Sequence, residues 1–286
     1  MIDRIAIFGT GLLGTSVGLA LRATGYKGSI VGWNRGADGA QTALAAGAID
    51  AIEPDGLKAA RDAQVILLAT PVFSILDWME KLSGVLGPEH LVTDVGSTKG
   101  AISAAAERLF NRADRAAFLP GHPMAGKERG GAALGDADLF RGAVWLFSDA
   151  STAERSPHGT ALVKGWREWV TAMGSKILDV DPARHDELVA WVSHLPQFLS
   201  TALSAMLEEQ VGDAPELKDV GGRALREMTR LGSSPYSMWR DIAHTNTEAI
   251  QVALSALEQR LQHLRENLRT PELREEFEIA NRFRRE

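Results

Sequence analysis

The 286-residue sequence contains no cysteine, no excess of basic residues and no apolar run long enough to cross a bilayer. The absence of cysteine excludes disulfide bonds, thiolate metal sites and cysteine nucleophiles, and it agrees with a reducing compartment. Lys and Arg number 31 against 37 Asp and Glu. The formal charge of −6 argues against a general nucleic-acid binder, which needs a basic surface. We therefore expect a cytoplasmic protein with no membrane and no nucleic acid as partner.

One uncharged segment, residues 5–21, resembles a short signal peptide because it follows Arg4. A secretory segment has a compact apolar centre, whereas glycines interrupt this one at positions 9, 11, 14 and 18. A strand, a turn and a helix explain the segment better.

Short apolar runs separated by helical stretches make up the first 180 residues. The runs predict strands at residues 4–8, 29–33, 63–70, 90–94, 117–120, 143–147 and 176–180. Their apolar residues are continuous rather than alternating, as in strands whose sheet is covered on both faces. Helical stretches such as 12–24 and 75–85 lie between them. This alternation predicts an α/β domain of Rossmann type, with a doubly wound, mostly parallel sheet, over residues 1–180.

Residues 181–286 lose the strand-like runs, and we predict an all-helical second domain there. Asp181 and Pro182 have the form of a helix start, and Pro196 should kink the helix near His194. Further helices are predicted over residues 215–229 and from Pro235. In the last helix, apolar residues recur at the spacing of a seam between helices: Ile250, Leu254, Leu257, Leu261, Leu264 and Leu268. This stripe predicts a homodimer through the C-terminal helices.

The first chemical signal is GTGLLG, which begins at Gly9 between the first strand and the first helix. Gly9 permits a tight turn, Gly11 lets the backbone approach a pyrophosphate, and Gly14 allows the helix to pack closely on the strand. The phosphates would lie at the N-terminus of the helix, at Leu12 and Leu13. A tight turn without a ligand is the alternative, but the context favours dinucleotide binding.

The second predicted strand ends at Asn34 and Arg35. Sites for NAD usually place an acidic residue here for the ribose hydroxyl, whereas a nearby arginine accommodates the phosphate of NADP. Asn34 adds no negative charge and Arg35 adds a cation, so the sequence favours NADP over NAD. The alternative is an Arg35 at the surface, with NAD held by Asn34 alone.

Polar residues follow three later strands, and ligands of open α/β sheets collect outside the carboxyl ends of strands. Thr70 and Pro71 end one strand and are candidates for cofactor contact. Ser97 follows the next strand, where a helix cap is as plausible as a substrate contact. His122 follows the third strand. A core histidine is the alternative there, but the position near the predicted nicotinamide favours a catalytic role.

Three arginines of the helical half, Arg223, Arg226 and Arg230, share one helix face at spacings i, i+3 and i+7. Like charges at this spacing repel unless an anion compensates them, so they are candidates for binding a substrate anion. Surface pairing with Glu227 and Asp219 is the alternative for the first two.

These residues together resemble the prephenate and arogenate dehydrogenases of tyrosine biosynthesis. The resemblance runs in order through GTGLLG at 9–14, DVGSTKG at 94–100, GHPMAGKE at 121–128, SHLPQ at 193–197 and REMTRLGSSPYSMWRDI at 226–242. In that family a nucleotide domain precedes a helical domain that dimerises. The resemblance implies oxidative decarboxylation of prephenate, arogenate or both by hydride transfer to NAD(P), giving 4-hydroxyphenylpyruvate or tyrosine. This chemistry requires no metal.

The same resemblance implies roles for individual residues. The catalytic histidine of the family falls on His122, a base for the substrate hydroxyl. Its active-site serine falls on Ser97, near the reacting hydroxyl, and the histidine of its SHLP block falls on His194. Its substrate-binding arginine falls on Arg230, whose planar fork suits a carboxylate.

The chain also departs from the family pattern. Many members have histidine where this chain has Gln197, which shares a helix face with His194, so we expect Gln197 to affect contact with the substrate side chain. Many members read FRDTTR where this chain reads LREMTR; Arg226 survives and the acid becomes Glu227. The leucine pattern ends at Leu268, and we expect no C-terminal regulatory ACT domain of the kind that some members carry.

Two other functions remain possible from the sequence. One is a two-domain NADP-dependent β-hydroxyacid or imine reductase, but such enzymes commonly place a catalytic lysine after a glycine-rich stretch, and arginines follow Gly222 here. The other is a non-enzymatic NADP-binding sensor, which would have no need for His122 and Arg230 at one cleft.

Overall fold

The computed structural model describes residues 2–149 and 154–285. Its strands are β1 (Arg4–Phe8), β2 (Ser29–Trp33), β3 (Ala51–Ile52), β4 (Val65–Leu68), β5 (Leu91–Asp94), β6 (Ala117–Leu119), β7 (Gly121–Pro123), β8 (Val144–Phe147) and β9 (Lys176–Asp179). All seven predicted strands are present, with ends that differ by at most a few residues. The short strands β3 and β7 were not predicted from the apolar pattern.

The helices are α1 (Leu12–Ala23), α2 (Ala37–Ala45), α3 (Gly56–Arg61), α4 (Val72–Ser83), α5 (Gly100–Leu109), α6 (Pro157–Ala172), α7 (Pro182–Val189), α8 (Leu195–Val211), α9 (Leu217–Val220), α10 (Gly222–Thr229), α11 (Tyr236–Thr245), α12 (Thr247–Glu266) and α13 (Glu272–Arg285). Shorter turns are the 3₁₀ segments Ala132–Leu134 and Arg230–Ser233 and the π turn Ala190–His194. We call the part up to β9 the sheet domain and the part from α7 onward the helical domain.

The main sheet has six parallel strands in the order β3-β2-β1-β4-β5-β6. This is the doubly wound order, in which successive strands are added first on one side of β1 and then, from β4 onward, on its other side. Phe8 pairs with Trp33 on one side and with Leu68 on the other, and Leu68 pairs with Asp94. The predicted α/β fold is confirmed, and the carboxyl ends of four neighbouring strands meet at one edge.

Helices cover both faces of this sheet, as the uninterrupted apolar strands predict. Along β1, Ile5 and Ile7 lie in one buried core cluster, whereas Ala6 and Phe8 lie in a second cluster on the opposite face. Successive side chains of a strand point to opposite faces. Apolar residues therefore stand at successive positions of the strand and not only at alternate ones.

The last two predicted strands do not belong to the main sheet. They form β8 and β9 of a separate three-stranded sheet, in which β7 pairs antiparallel with β8 and β8 pairs parallel with β9. Pro120, which has no N–H to donate, separates β6 from β7. The N–H of Gly121 instead donates to the side chain of Asp94 at the end of β5 (3.0 Å). This bond brings β7 back to the carboxyl end of the main sheet.

The helical domain begins as predicted, because the Asp181 side chain accepts hydrogen bonds from the N–H groups of Ala183 and Arg184. The disturbance predicted from Pro196 takes the form of the π turn Ala190–His194 before α8. The single helix predicted over residues 215–229 is wrong: the chain breaks between α9 and α10 at two glycines. Each glycine inside a helix costs about 1 kcal/mol relative to alanine.

The apolar stripe of α12 changes from buried to exposed along its length. Ile250 is buried, whereas Leu261 and Leu268 are more than half exposed. The helix ends at Glu266, so Leu268, the last residue of the predicted stripe, lies just beyond it. None of the helices within residues 2–149 and 154–285 combines the length and the hydropathy of a membrane span.

Candidate active site

The glycine-rich turn lies where β1 meets α1, next to the reversal point of the sheet. Gly9 has φ +96°, and a Cβ there would overlap the backbone oxygen of Ala69; a Cβ at Gly14 would overlap the backbone oxygen of Gly9. Side chains are thus excluded at both positions by the protein itself. A Cβ at Gly11 would meet no atom of the described residues within 4 Å, apart from its own chain neighbours. The space above Gly11 is therefore free for a ligand, as the predicted approach of a pyrophosphate requires.

The groups around this turn fit a dinucleotide. No side chain caps α1, so the N–H groups of Leu12 and Leu13 at its start are left to bind an anion. The hydroxyls of Thr10 and Thr70 are buried and have no hydrogen-bond partner among the described residues. Buried polar groups are normally satisfied, so two unsatisfied hydroxyls beside the turn indicate a polar ligand. Pro71 is exposed and directly precedes α4.

Asn34 and Arg35 follow β2 at the same edge of the sheet. The Asn34 amide donates to the backbone oxygen of Gly36 (2.9 Å), which leaves its own oxygen free to accept. Arg35 is exposed and forms no ion pair within the described residues. An unpaired cation and a neutral acceptor therefore lie where the ribose of a dinucleotide is expected.

A buried ion pair supports the loop that carries Ser97. Asp94 and Lys99 are fully buried and pair with each other. The Asp94 carboxylate also accepts hydrogen bonds from the N–H groups of Gly96 (2.7 Å) and Gly121 (3.0 Å). Burial lowers the pKa of the Lys99 amine, against the opposing effect of Asp94. Ser97 is half-buried on this loop, and its hydroxyl makes no hydrogen bond among the described residues.

His122 is buried on β7 and contacts the helical domain directly. Its Nδ1 is hydrogen-bonded to His185 Nε2 at 2.9 Å, and His185 Nδ1 lies 2.8 Å from Asp186 Oδ1. Asp186 also accepts from the N–H groups of Lys99 (2.7 Å) and Gly100 (2.8 Å). Burial places the pKa of His122 well below its usual value, assisted by the nearby charges. A neutral imidazole of this kind is suited to accept a proton.

His194 lies beside this cluster in the helical domain. Asn246 donates through Nδ2 to the backbone oxygen of Asp186 (2.8 Å) and to His194 Nδ1 (3.3 Å). Burial lowers the pKa of His194 to about 4. The ring of Trp239 packs edge-on against His194, and its indole N–H is buried without a hydrogen-bond partner in the described residues.

Gln197 is buried, and both ends of its amide contact protein groups. The amide nitrogen donates to the backbone oxygen of Leu231 (2.8 Å) and to Thr201 (3.1 Å), while the amide oxygen accepts from Ser234 (3.1 Å). Gln197 thereby holds the 3₁₀ turn that begins at Arg230.

The three predicted arginines differ in their contacts. Arg230 is more than half exposed and forms an ion pair with Glu128 of the loop after β7. Arg226 is exposed and has no ion pair within the described residues, whereas Arg223 pairs with Glu227 (2.6 Å) on the surface. Arg230 is therefore the arginine that reaches the sheet domain at the His122 loop.

We call the region where His122 and its loop meet α7 and Arg230 of the helical domain the junction. Sequence reasoning missed several residues of this junction. The main omissions are Asp94, Lys99, Glu128, His185, Asp186, Trp239 and Asn246. Four of them lie inside the quoted motifs, and the adjacent pair of histidine and aspartate at 185–186 in the first turns of α7 was a further available signal.

Comparison with known proteins matches both parts of the chain with models of one family. The family described as prephenate dehydrogenase, nucleotide-binding domain, matches residues 17–170, and prephenate dehydrogenase, dimerization domain, matches residues 181–281. The prephenate dehydrogenase of Lactococcus lactis subsp. cremoris is 29% identical over 266 residues, which are 93% of this chain and 70% of that protein.

Two solved structures are similar over nearly their whole length. The prephenate dehydrogenase from A. aeolicus, in complex with hydroxyphenyl propionate and NAD+, has a TM-score of 0.84 and 27% identity, with 100% of this chain and 96% of that chain covered. The arogenate dehydrogenase of Synechocystis has a TM-score of 0.77 and 30% identity, with 98% of each chain covered.

The parallel sheet, the glycine turn and the buried histidines at the domain junction define a two-domain oxidoreductase that binds a nicotinamide dinucleotide. Both domains of this class are matched here by models of one family. The chain belongs to the prephenate dehydrogenase family.

Proposed function

We propose that this protein oxidises and decarboxylates prephenate, arogenate or both, with NAD(P) as hydride acceptor, giving 4-hydroxyphenylpyruvate or tyrosine. The observation that carries the proposal is the meeting of two domains around His122. His122 is hydrogen-bonded to His185 of the helical domain, and Arg230 reaches back to Glu128, close after His122 in sequence. A proton acceptor and a cation for a carboxylate thus lie at one junction. Membership of the family supports the substrate class.

Each residue of the junction has a chemical task in this reaction. The bound nicotinamide supplies the acceptor for the hydride of the hydroxyl-bearing carbon. His122 would take the hydroxyl proton at Nε2, the ring nitrogen that makes no hydrogen bond within the described residues. Ser97 would donate a hydrogen bond to the same oxygen. The ring carboxylate would leave as CO₂, its bonding electron pair would complete the aromatic ring and leave a negative charge on the oxygen, and His122 would return the proton to that oxygen to give the phenol. Aromatisation makes the reaction strongly favourable.

The substrate carboxylates would be held from the helical domain. Arg230 would exchange Glu128 for a substrate carboxylate, which its planar guanidinium can bind through two parallel hydrogen bonds. Arg226 adds a second cation, and His194 a polar contact beside the ring. Gln197 would act on the substrate through the Arg230 turn that it holds.

The cofactor would lie along the carboxyl edge of the sheet. The residues proposed to hold it are Gly9, Gly11, Leu12, Leu13, Gly14, Asn34, Arg35, Thr70 and Pro71. We favour NADP over NAD, because Arg35 is an unpaired cation within the described residues and no acidic side chain follows β2 directly. An arginine at this position accommodates a 2′-phosphate.

The protein is further proposed to be a homodimer, with residues 1–180 as the nucleotide domain and 181–286 as the substrate and dimerisation domain. The family's dimerization domain matches residues 181–281, and the exposed end of the α12 stripe offers apolar surface for a second copy. The cytoplasmic location stays a prediction from the sequence.

The test is a matrix of four assays, prephenate or arogenate with NADP or NAD, followed by the near-ultraviolet absorbance of the reduced nicotinamide. We expect turnover with at least one substrate and CO₂ release in proportion. No turnover with either substrate, together with tight NADP binding, would favour the sensor. Turnover only with β-hydroxyacids or cyclic imines would favour the reductase.

A further inference from the structure

His122 and His194 make hydrogen bonds of opposite kinds through their Nδ1 atoms. Both hydrogen-bond networks lead back to Asp186. We propose that Asp186 is a positioning residue that fixes opposite tautomers of these rings, so that His122 presents an unprotonated Nε2 and His194 a protonated Nε2. The inference builds on the proposed function, because it assigns the atom at which His122 accepts the proton.

The first arm runs through the Asp186 carboxylate. An ionised carboxylate only accepts hydrogen bonds, so His185 must carry its proton on Nδ1, 2.8 Å from Asp186 Oδ1. The Nε2 of a neutral His185 then has a free lone pair. The contact of 2.9 Å between this atom and His122 Nδ1 requires the proton to lie on His122 Nδ1. His122 Nε2 is therefore left unprotonated.

This chain of hydrogen bonds requires an ionised Asp186 and a neutral His185. The surroundings of both residues favour these charge states. Burial alone would raise the pKa of Asp186, but hydrogen bonds from His185 and from the N–H groups of Lys99 and Gly100 hold it below its usual value. Burial lowers the pKa of His185 more than Asp186 raises it. Asp186 is thus ionised and His185 neutral near pH 7.

The groups around His122 and His185 have opposing effects on protonation of the two rings. A proton on His185 would disfavour one on His122, the ammonium of Lys99 disfavours a proton on either ring, and a proton on His194 would act on His122 in the same direction. Asp94 favours a proton on His185, less strongly than burial opposes it. The neutral form of both rings follows from this balance.

The second arm runs through the Asp186 backbone oxygen. This oxygen can only accept, so the Asn246 atom 2.8 Å away must be its amide nitrogen. The same nitrogen lies 3.3 Å from His194 Nδ1. Because the amide nitrogen donates, His194 Nδ1 must accept, and the single proton of a neutral His194 lies on Nε2. The junction therefore offers the substrate one acceptor and one donor.

Asp186 also positions the loop that carries Ser97. Its carboxylate accepts from the N–H groups of Lys99 and Gly100, just after Ser97 in the chain. One side chain of the helical domain thus orients His122 and anchors the neighbouring loop of the sheet domain. Such partners behind a reacting group set its orientation and basicity, as the aspartate of a serine-protease triad does.

The tautomers are measured directly by long-range ¹H–¹⁵N spectra of the ¹⁵N-labelled full chain without substrate. The signals of His122 and His194 are assigned from His122→Asn and His194→Asn. We expect the wild-type protein to show a proton on Nδ1 of His122 and on Nε2 of His194. A protonated Nε2 on His122 in the wild-type protein would overturn the proposal.

Two variants test the two hydrogen-bond paths separately: the path from Asp186 through His185 to His122, and the path from Asp186 through Asn246 to His194. His185→Leu should release the tautomer of His122 and leave that of His194, whereas Asn246→Ala should do the reverse. The exposed His158→Gln is the matched control and should change neither ring. Variants that lower the melting temperature but leave both tautomers as in the wild type would contradict the positioning role and indicate a structural one.

Kinetics give an independent readout. His185→Leu should lower kcat by roughly 10²-fold, the scale of a misplaced general base, without changing the dissociation constant for NADP. Unchanged kcat with a released tautomer would refute the link between orientation and catalysis. Because the spectra need no substrate, inactivity of the wild-type protein would count against the proposed function and leave the tautomer assignment standing.

Discussion

Replacing Asp94 by asparagine should destabilise the protein through the lysine that it leaves behind. Lys99 is fully buried, and Asp94 is the carboxylate that pairs with its ammonium. Removing one partner of a buried pair costs about 3–5 kcal/mol, because an uncompensated charge stays in a medium of low polarity. Asp94→Asn also disturbs the hydrogen bonds from Gly96 and Gly121.

The loss of stability in Asp94→Asn has an upper limit, because Lys99 can lose its proton. A lysine without its partner can stay buried by becoming neutral, and each pH unit between the experiment and the ordinary lysine pKa costs about 1.4 kcal/mol. At pH 7 this amounts to roughly 4–5 kcal/mol. Since the unfolded variant then binds one more proton than the folded variant, the stability of Asp94→Asn rises with pH. The loss should shrink by about 1.4 kcal/mol per unit toward pH 10.

Urea unfolding of the full chain between pH 7 and pH 10 measures this loss. Asp179→Asn is the matched control, because Asp179 forms an exposed ion pair with Arg167 and should cost about 1 kcal/mol or less at every pH. The double variant Asp94→Asn/Lys99→Met removes both charges and should recover much of the loss. A loss equal to that of the control, or one that does not change with pH, would refute the reasoning.

Four further expectations concern the proposed site and assembly. His122→Asn should lower kcat by roughly 10²-fold or more and leave cofactor affinity nearly unchanged; near-full turnover would remove it as the base. Arg35→Ala should weaken NADP by about 1–2 kcal/mol and spare NAD in calorimetry, whereas equal losses would contradict contact with the 2′-phosphate. Arg230→Ala should raise KM roughly 10- to 100-fold with Arg230→Lys recovering part; an unchanged KM would leave Arg230 as the structural partner of Glu128. Replacing Leu257 and Leu261 by lysine should give monomer or aggregate in sedimentation, and a monomeric wild-type protein at micromolar concentration would rule out the dimer.

The parallel sheet could be predicted because its signals are local. A strand covered on both faces carries a continuous apolar run instead of an alternating pattern, and the segments that became β1, β2 and β4 show such a run in five or fewer residues. The turn at Gly9 is equally local, since it depends on a positive φ and on the close approach of one helix to one strand. The antiparallel β7 was missed because three residues around His122 carry no periodicity of their own.

The junction of the domains could be predicted only in part. His122 and Arg230 were found through the motifs that contain them, but their partners lie far away in sequence. His122 is hydrogen-bonded to His185, which lies 63 positions later, and the Lys99 N–H donates to Asp186, which lies 87 positions later. Spacing arguments work within one helix or strand, and no spacing rule connects a loop after β5 to the start of α7.

The sequence by itself determined which residue types stand at the strand ends, the glycine turn and the order of the two domains, because each depends on a few neighbouring residues. Only the tertiary structure decided which ring nitrogen faces which partner. In a straight α-helix, His185 and His194 would lie roughly half a turn apart around the axis, and the π turn Ala190–His194 inserts an extra residue that reduces this angle. Both histidines can then meet Asp186 and Asn246 at one junction, and their hydrogen bonds, set by burial and packing, decide which nitrogen is free to take a proton.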